Sequence, residues 1–418
     1  MLKREENERI TRIGPGTPMG NVMRRYWMPV GLASELPEPD CPPIRVRLLG
    51  ENLVAFRDSN GQPGLLAENC PHRGASLFFG RNEECGLRCV YHGWKFDTTG
   101  QCIDMPNEPA ESDFRTKVTA TAYPCAERAG LIWAYLGPSE KRPPLPNLEW
   151  MRAPAGHSWV SKTYESCNYL QAMEGGLDTS HSSFLHRYFD AAGRSNPRAR
   201  STAPRLEVLN TDYGYMYASI RPLPDEGRNF VRLYHYVMPF YQLRATGAAT
   251  STGDTDGHLW VPIDDVTCWT YNFHCSTSHP ISHDEWQAME HYYGRAQEDQ
   301  IPGTFRLKAN ASNDYLLSRE RQRTVNYTGI DGINTQDFAV QESMGPIYDR
   351  TQERLGSADT AIIQMRRLLL QAADDVEAGR DPVGSRGEGA NVRAAQMLLP
   401  MDAKWSETRL MEEVVARF

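Results

Sequence analysis

The sequence predicts an α+β protein in two domains, an all-β domain over residues 1–145 and a mixed domain over residues 146–418. Three observations predict this organisation. Short strand-like runs separated by turn signals fill the first part of the chain, a proline-rich stretch follows at 138–146, and strand-like runs then alternate with longer helical runs. The chain has 418 residues, of which 40% are hydrophobic, so it is long enough and apolar enough for two domains.

Short strands account for most of the first domain. The runs 44–49 and 52–56 are separated by Gly50-Glu51, which is a hairpin signal. Aspartate followed by glycine three positions later marks turns at 58–61 and 97–100. Many short strands with regular turns are typical of a sandwich or a small barrel. Further strands are predicted at 64–67, 87–91 and 130–136.

The second domain mixes strands and helices. A short helix is predicted at 168–175, and a longer one at 284–296 has Asp284 near its start, where an acidic residue is favourable. This mixture indicates a sheet with flanking helices. Strands are predicted at 205–209, 213–220, 232–237 and 267–274, and further helices at 358–377 and 407–417.

Charge and composition exclude several classes of protein. Lys and Arg number 45 against 53 Asp and Glu, a net charge of −8, with no long run of one sign, so we expect no nucleic-acid partner and no polybasic membrane anchor. No apolar stretch has the length of a spanning helix, and the first residues are charged, so we expect a soluble cytoplasmic protein with no membrane partner. Nine scattered cysteines, an odd number, argue against a disulfide scaffold.

Two Cys/His pairs form the first candidate metal site. Cys70-Pro-His72 and Cys89-Val-Tyr-His92 are separated by sixteen residues, and both lie among residues that favour turns. Two loops with two ligands each can hold one metal centre between them. Two imidazoles in place of two thiolates on one iron of a [2Fe–2S] cluster is the Rieske arrangement. We therefore predict that Cys70 and Cys89 bind one iron and that His72 and His92 bind the other.

Zinc is the alternative occupant, because two cysteines and two histidines also form a zinc set. The wider strings favour the Rieske interpretation. Cys70-Pro-His-Arg-Gly-Ala-Ser-Leu and Cys89-Val-Tyr-His-Gly-Trp-Lys-Phe-Asp closely resemble the two cluster-binding loops of Rieske proteins. Cys85 and Cys102 lie nearby but outside the motif, and we predict that they are structural.

A second candidate metal site follows in the spacing Asp-x-x-His-x-x-x-x-His, with Asp178, His181 and His186. On a helix the first two would share a face, and a break or helix end would bring His186 to the same metal. Two histidines and one carboxylate on one side of an iron leave positions open for oxygen and substrate. We predict Asp337 as the carboxylate. Other acids that compete for this role are Asp314, Asp331, Asp349 and Glu342.

The chain resembles the Rieske non-haem iron aromatic-ring hydroxylating oxygenases, large (alpha) subunit, and most of all their phthalate 4,5-dioxygenase group, which is similar to the vanillate O-demethylases. The resemblance extends over nearly the whole chain. It includes both cluster loops, Arg24-Arg-Tyr-Trp-Met-Pro-Val, Glu174-Gly-Gly-Leu-Asp-Thr-Ser-His, Trp260-Val-Pro-Ile-Asp-Asp and Gln341-Glu-Ser-Met-Gly-Pro-Ile-Tyr-Asp. It implies an N-terminal all-β Rieske domain and a C-terminal α+β catalytic domain with a central antiparallel sheet flanked by helices.

The resemblance also implies cofactors and partners. These are a Rieske 2Fe–2S cluster, a mononuclear Fe(II), and electrons from NADH that arrive through a separate flavin and iron–sulfur reductase. The family assembles as a ring-shaped homotrimer, in which electrons pass from the cluster of one subunit to the iron of its neighbour, and its bridging aspartate matches Asp178. The implied substrates are O₂ and an aromatic carboxylate, which Arg221, Arg232 or Arg244 on the predicted strands would bind through paired hydrogen bonds.

Three alternatives stay open at this point. Phthalate-like cis-dihydroxylation and O-demethylation of a methoxylated aromatic acid use the same metal set, so the sequence does not separate them. An electron-transfer Rieske protein would lack the second site and would hold two iron atoms per chain instead of three. A zinc-stabilised binding protein would lack the spin-resonance signal of a Rieske cluster.

Overall fold

A computed structural model describes residues 2–109, 111–246 and 253–418. Contacts divide the chain into two compact units. The first is Ile13–Leu145. The second is Pro146–Phe418 together with the segment before Ile13, so the division after position 145 falls inside the proline-rich stretch.

Small antiparallel sheets make up the first unit. Their strand orders are β1-β11-β10, β2-β3-β4-β9 and β5-β6-β7-β8. The strands are β1 Trp27–Leu32, β2 Ile44–Leu48, β3 Glu51–Arg57, β4 Pro63–Ala67, β5 Arg81–Glu83, β6 Gly86–Arg88, β7 Lys95–Phe96, β8 Cys102–Asp104, β9 Ala122–Tyr123, β10 Cys125–Arg128 and β11 Leu131–Tyr135.

The hairpin β2–β3 forms as predicted, but its turn lies one residue earlier than expected. Leu48 pairs with Glu51, so the turn residues are Leu49 and Gly50. Both have positive φ, 49° and 77°, as a two-residue hairpin turn of the right twist requires. Glu51 therefore belongs to the strand.

The core of the first unit supports the Cys/His loops. Val54, Phe56, Leu66 and Leu87 are fully buried in one cluster, and Cys70 and Cys89 belong to the same cluster. The strand predicted at 87–91 is shorter than expected, because β6 ends at Arg88 and the loop with Cys89 begins there.

One eight-stranded antiparallel sheet organises the second unit. Its order is β12-β18-β17-β16-β15-β14-β13, and β19 pairs with the first half of β15. The strands are β12 Ser158–Glu165, β13 Arg205–Asn210, β14 Gly214–Leu223, β15 Arg228–Val237, β16 Tyr241–Ala245, β17 Asp254–Asp264, β18 Thr267–Ser276 and β19 Ala395–Pro400. An all-β unit followed by an antiparallel sheet with helices confirms the predicted fold class.

Helices pack mainly in the second unit. The helices of the chain are α1 Arg4–Thr11, α2 Pro18–Met23, α3 Glu149–Arg152, α4 Tyr169–Leu177, α5 Ala191–Ser195, α6 Pro197–Arg200, α7 His283–Tyr293, α8 Arg319–Thr324, α9 Ile333–Ser343 and α10 Thr360–Glu377. None of the described helices is long and apolar enough to cross a membrane.

The N-terminal helix differs from the expected grouping with the first domain. The hydroxyl of Tyr169 donates to the Ile10 carbonyl (2.7 Å), and Arg9 forms ion pairs with Asp374 and Glu377 of α10. These contacts attach α1 to the second unit. Apart from the placement of this helix, the expected domain limits of 1–145 and 146–418 stay a prediction.

The helix predicted at 407–417 is wrong. The segment forms two short 3₁₀ turns and then an extended end. The Arg393 amide donates to the Val414 carbonyl, and the Ala416 amide donates to the Asn391 carbonyl. These backbone groups therefore bond to a neighbouring loop and not along a helix.

Candidate metal centres

The two Cys/His loops share one backbone geometry. The Cys70 amide donates to the Ala75 carbonyl (2.8 Å), and the Gly74 amide donates to the Cys70 carbonyl (2.9 Å). The second loop repeats both bonds from Cys89 to the residues five and four positions later, at the same distances. Gly74 and Gly93 have φ of 76° and 81°, a conformation that favours glycine. Each loop is therefore a tight turn with its cysteine at the base.

These turns bring the four predicted cluster ligands together. Cys70 and Cys89 are each 3% exposed, whereas His72 and His92 are half-buried, with ring centroids 4.4 Å apart. Two thiols face inward and two imidazoles lie outward. That donor set fits a [2Fe–2S] cluster, in which the two buried thiols would hold one iron and the two half-buried imidazoles the other.

Aromatic neighbours hold the histidine rings. The His72 ring stacks on Trp94 with centroids 4.2 Å apart and planes within 15°. The indole of Trp94 donates to Asn107 Oδ1 (2.7 Å), which fixes the stacking partner in turn. The Tyr91 ring lies 3.9 Å from that of His92.

Cys85 and Cys102 have local roles in the first unit. Cys85 lies in the turn between β5 and β6, where its amide donates to Ser59 Oγ (2.8 Å) and its sulfur accepts from the side-chain amide of Asn60 (3.2 Å). The Cys102 thiol donates to the Asp104 carbonyl (3.4 Å) within β8.

We expect Cys70→Ala and Cys89→Ala to abolish the Rieske absorbance and spin-resonance spectrum, because the iron they share would lose a thiolate. Cys85→Ala is the matched control and should keep both spectra. A Cys85→Ala protein without the cluster, together with a Cys89→Ala protein that retains it, would overturn the ligand assignment.

The residues of the second candidate metal site lie close together in the second unit. His181 Nε2 and His186 Nε2 are 3.1 Å apart, and Asp337 Oδ1 lies 3.7 Å and 3.2 Å from them. The ligand atoms of these three side chains all lie within 4.8 Å of one another, close enough to hold a single metal ion. Two imidazoles and one carboxylate fit iron with open positions.

The helix expected to carry Asp178 and His181 ends before them. α4 ends at Leu177, Asp178 is its C-cap in an extended conformation, and His181 begins a 3₁₀ turn. The Asp178 carboxylate accepts hydrogen bonds from the Ser180 amide and hydroxyl, both 2.7 Å, which stabilise a turn in place of another helical residue. The expected shared helical face is therefore wrong, although the two side chains still lie close together.

The Asp178 carboxylate faces the ring nitrogen of His181 that points away from the candidate metal position. Its Oδ2 lies 3.5 Å from His181 Nδ1, and this nitrogen is buried without a hydrogen bond among the described residues. Burial alone would raise the pKa of Asp178, but the interactions with His181 and Ser180 hold this pKa at about 2. The carboxylate is therefore ionised and positioned to accept the remote imidazole proton.

The acids that competed with Asp337 lie in other environments. Asp331 pairs with Arg321, and Asp349 caps a 3₁₀ turn by accepting from Thr351. Glu342 accepts hydrogen bonds from the Ser166 amide and the Tyr315 hydroxyl, and Asp314 has positive φ on an exposed turn.

A cavity of about 500 Å³ opens beside the histidines and is lined by His181 and His186. This volume suits a small aromatic molecule. Arg232 and Arg244, two of the predicted carboxylate-binding residues, line it together with Arg198. Arg244 forms an ion pair with Asp256 (2.5 Å), whereas Arg198 and Arg232 have no acidic partner among the described residues.

Arg221 does not line this cavity. It is 2% exposed and donates to Ser183 Oγ (2.9 Å) and to the carbonyls of Thr179 (2.6 Å) and Ser201. Its guanidinium bonds to the segment around His181, so it stabilises that segment, and its prediction as a carboxylate-binding residue is wrong.

Two residues of the site were missed in the sequence. Arg198 lies in α6, within a short arginine-rich stretch that had no predicted structure. Burial, and then the charge of Arg232, lowers the pKa of Arg198 to about 10. Gln336 directly precedes Asp337 and contacts His186, which no spacing rule indicates.

Family models match both units. A Rieske [2Fe-2S] domain matches residues 26–123, and a LigXa C-terminal domain like model matches residues 134–417. The chain is 37% identical to the phthalate 4,5-dioxygenase oxygenase subunit of Pseudomonas putida, over 97% of this chain and 94% of that protein. It is 36% identical to the 3-chlorobenzoate-3,4-dioxygenase oxygenase subunit of Comamonas testosteroni, over 97% of each.

One further relative and one solved structure are also similar to this chain, the structure in fold alone. The 5,5'-dehydrodivanillate O-demethylase oxygenase subunit of Sphingobium is 32% identical, over 91% of this chain and 83% of that protein. The crystal structure of dicamba monooxygenase bound to dicamba matches in fold, with a TM-score of 0.60 at 19% identity, over 85% of this chain and 99% of that chain.

A Rieske domain joined to such a catalytic domain defines the class of two-domain Rieske oxygenases. This chain belongs to the Rieske aromatic-ring hydroxylating oxygenases, in the group of the phthalate 4,5-dioxygenase oxygenase subunit.

Proposed function

We propose that this chain is the oxygenase component of a multicomponent system that hydroxylates an aromatic carboxylate with O₂ and electrons from NADH. The observation that supports this substrate class is the pair of guanidiniums, Arg198 and Arg232, in the cavity beside His181 and His186. Half-buried cations without an acidic partner lose part of their hydration, and a ligand that supplies the counter-charge offsets that cost. A carboxylate on an aromatic ring supplies it and fixes the ring's orientation.

The metal roles follow from the donor sets. We propose that Cys70, His72, Cys89 and His92 bind the Rieske cluster, and that His181, His186 and Asp337 bind Fe(II). When bound, the cluster supplies single electrons and the iron supplies oxygen activation. The polypeptide orients the substrate through its arginines, encloses the ring, and holds a proton at His181 Nδ1 through Asp178.

We propose two kinds of partner for this chain, a reductase and further copies of the chain itself. A separate flavin and iron–sulfur reductase would supply the electrons, since relatives such as the phthalate enzyme are named as oxygenase subunits. The chain itself would assemble as a homotrimer, so that the cluster of one subunit serves the iron of its neighbour.

Dioxygenation is the favoured reaction, because the two relatives at 36–37% identity are named dioxygenases and the demethylase is 32% identical. O-demethylation of a methoxylated aromatic acid is the second candidate. A substrate screen with a reductase, scored by O₂ uptake and product analysis, tests the proposal. A cis-diol product supports dioxygenation, whereas formaldehyde release identifies demethylation.

We expect Arg232→Gln to raise KM for an aromatic acid about 10- to 100-fold, because one charge-assisted hydrogen bond contributes about 1.5–3 kcal/mol. Arg198→Gln should act in the same direction. The matched control is Arg228→Gln, on the same strand but exposed and outside the cavity lining, which should leave KM unchanged.

The methyl ester of the same acid completes this test. The carboxylate hypothesis predicts that the ester is a poor substrate for the wild type and that Arg232→Gln affects it little. Equal turnover of ester and acid would contradict the hypothesis.

A further inference from the structure

Gln336 contacts His186 at the ring nitrogen that faces away from the candidate iron position. It lies on α9 immediately before Asp337, is fully buried, and its Oε1 is 2.8 Å from His186 Nδ1. The other nitrogen of His186, Nε2, faces Asp337 and His181. One residue therefore contacts the remote nitrogen of a ligand whose near nitrogen faces the metal position.

The orientation of this amide is fixed by a second contact. Gln336 Nε2 donates to the Ile330 carbonyl (2.9 Å). A rotated amide would set Oε1 against that carbonyl oxygen, with two acceptors facing each other and no proton between them. Gln336 must therefore present Oε1 to His186.

The Ile330 carbonyl is held in place by another amide. Asn326 Nδ2 also donates to it (3.0 Å), and Asn326 Oδ1 accepts from the Gly329 amide (2.6 Å). Since a backbone amide only donates, the orientation of Asn326 is fixed as well. The chain of contacts from Gly329 to His186 thus has one consistent arrangement of donors and acceptors.

We infer that Gln336 is a positioning residue that selects the Nδ1–H tautomer of His186 and so leaves its Nε2 lone pair free for iron. An acceptor at 2.8 Å requires a proton on Nδ1, and a neutral imidazole with that proton has its lone pair on Nε2. This inference rests on the proposed function, because it assumes that His186 binds a metal.

The two histidines are supported differently. His181 has an ionised carboxylate, Asp178, near its remote nitrogen, whereas His186 has a neutral amide. Remote partners of metal-bound histidines fix ring orientation and tautomer, and their loss typically lowers metal affinity about 10- to 100-fold. A neutral partner does this without adding negative charge to a site that already contains Asp178 and Asp337.

The test measures Co(II) affinity of the second site in the full-length protein with its cluster, by competition with a chelator. Gln336→Met keeps the length of the side chain but accepts no strong hydrogen bond, and it should weaken Co(II) binding about 10- to 100-fold. Gln336→Glu retains an acceptor for His186 Nδ1 and, as a buried and protonated carboxylic acid, a donor for the Ile330 carbonyl, so it should restore affinity to within a few-fold of the wild type. The control is Thr335→Val, on the same helix as Gln336, which removes the hydrogen bond from the Thr335 hydroxyl to the Gly294 carbonyl (3.3 Å) and should leave Co(II) affinity unchanged.

A second readout separates tautomer selection from simple support of the fold. Among the exchangeable, paramagnetically shifted proton signals that appear on adding Co(II), the wild type should show the His186 ring N–H, and Gln336→Met should lose it. Gln336→Met with wild-type affinity and this signal intact would overturn the inference. If Gln336→Met fails to fold, as judged by its cluster spectrum and melting, Gln336→Glu decides, because loss of Co(II) binding there overturns the inference. A wild-type protein that binds no Co(II) would instead refute the proposed iron site.

Discussion

Replacing His181 or His186 by alanine is expected to remove the mononuclear iron and all turnover while the Rieske spectrum stays intact. Each histidine supplies one of three donors within 3.7 Å of one another, and two donors hold a divalent metal poorly. The Cys/His loops lie in the other compact unit, so their fold does not depend on these side chains. Iron analysis and the cluster spectrum measure both effects in one sample.

His279→Ala is the matched control, since this histidine is exposed and pairs only with Glu285 and Ser278 among the described residues. Asp337→Ala should resemble the histidine variants, with partial iron. Full iron and full turnover in Asp337→Ala would move the third ligand to another acid.

Asp178→Asn is expected to slow oxidation of the reduced cluster about 10- to 100-fold or more in a single turnover with substrate and O₂, while the protein still assembles and retains much of both metals. Asparagine keeps the size of the side chain and one oxygen, which can still accept from Ser180. Its amide nitrogen, however, would face the protonated Nδ1 of His181 as donor against donor. In the proposed homotrimer, Asp178 would join His181 through hydrogen bonds to His72 or His92 of a neighbouring subunit, and the substitution is expected to break this bridge.

The rival hypothesis is that Asp178 only stabilises the end of α4 by accepting from Ser180. It predicts a loss of folding stability with no effect on electron transfer. A folded, iron-loaded Asp178→Asn protein whose cluster oxidises at the normal rate would refute the bridge, and stopped-flow absorbance of the cluster measures that rate.

The sequence predicted the parts of the fold that depend on local chemistry. Alternating apolar runs and turn residues located the hairpin β2–β3, and the side chain of Asn168 caps α4 close to where that helix was predicted. The helix at 407–417 was wrong because Val414 and its neighbours bond to residues distant in sequence. The end of α4 at Leu177 depended on the side chain of Asp178 competing with the helix backbone, which an i, i+3 spacing does not reveal.

In the candidate site, too, the sequence predicted the residues that belong to local motifs and missed those that depend on tertiary contacts. The metal motifs are local in sequence, so their residues could be named in advance, and the structure brings His181 and His186 together with the distant Asp337. The sequence could not tell which arginine is available to bind a substrate carboxylate. The pairing of Arg244 with Asp256 and the burial of Arg221 depend on strand register. Gln336 has no sequence signal beyond its place beside Asp337.

The central claim is that one chain holds two different iron centres. The most direct measurement is iron, zinc and acid-labile sulfide analysis of the purified protein, combined with low-temperature spin resonance of the reduced form. We predict three iron atoms and two sulfides per chain with a Rieske signal, since four cluster ligands bind two irons and the second site binds one. Two iron atoms per chain in wild-type protein that takes up no further metal, or stoichiometric zinc without sulfide, would contradict the account.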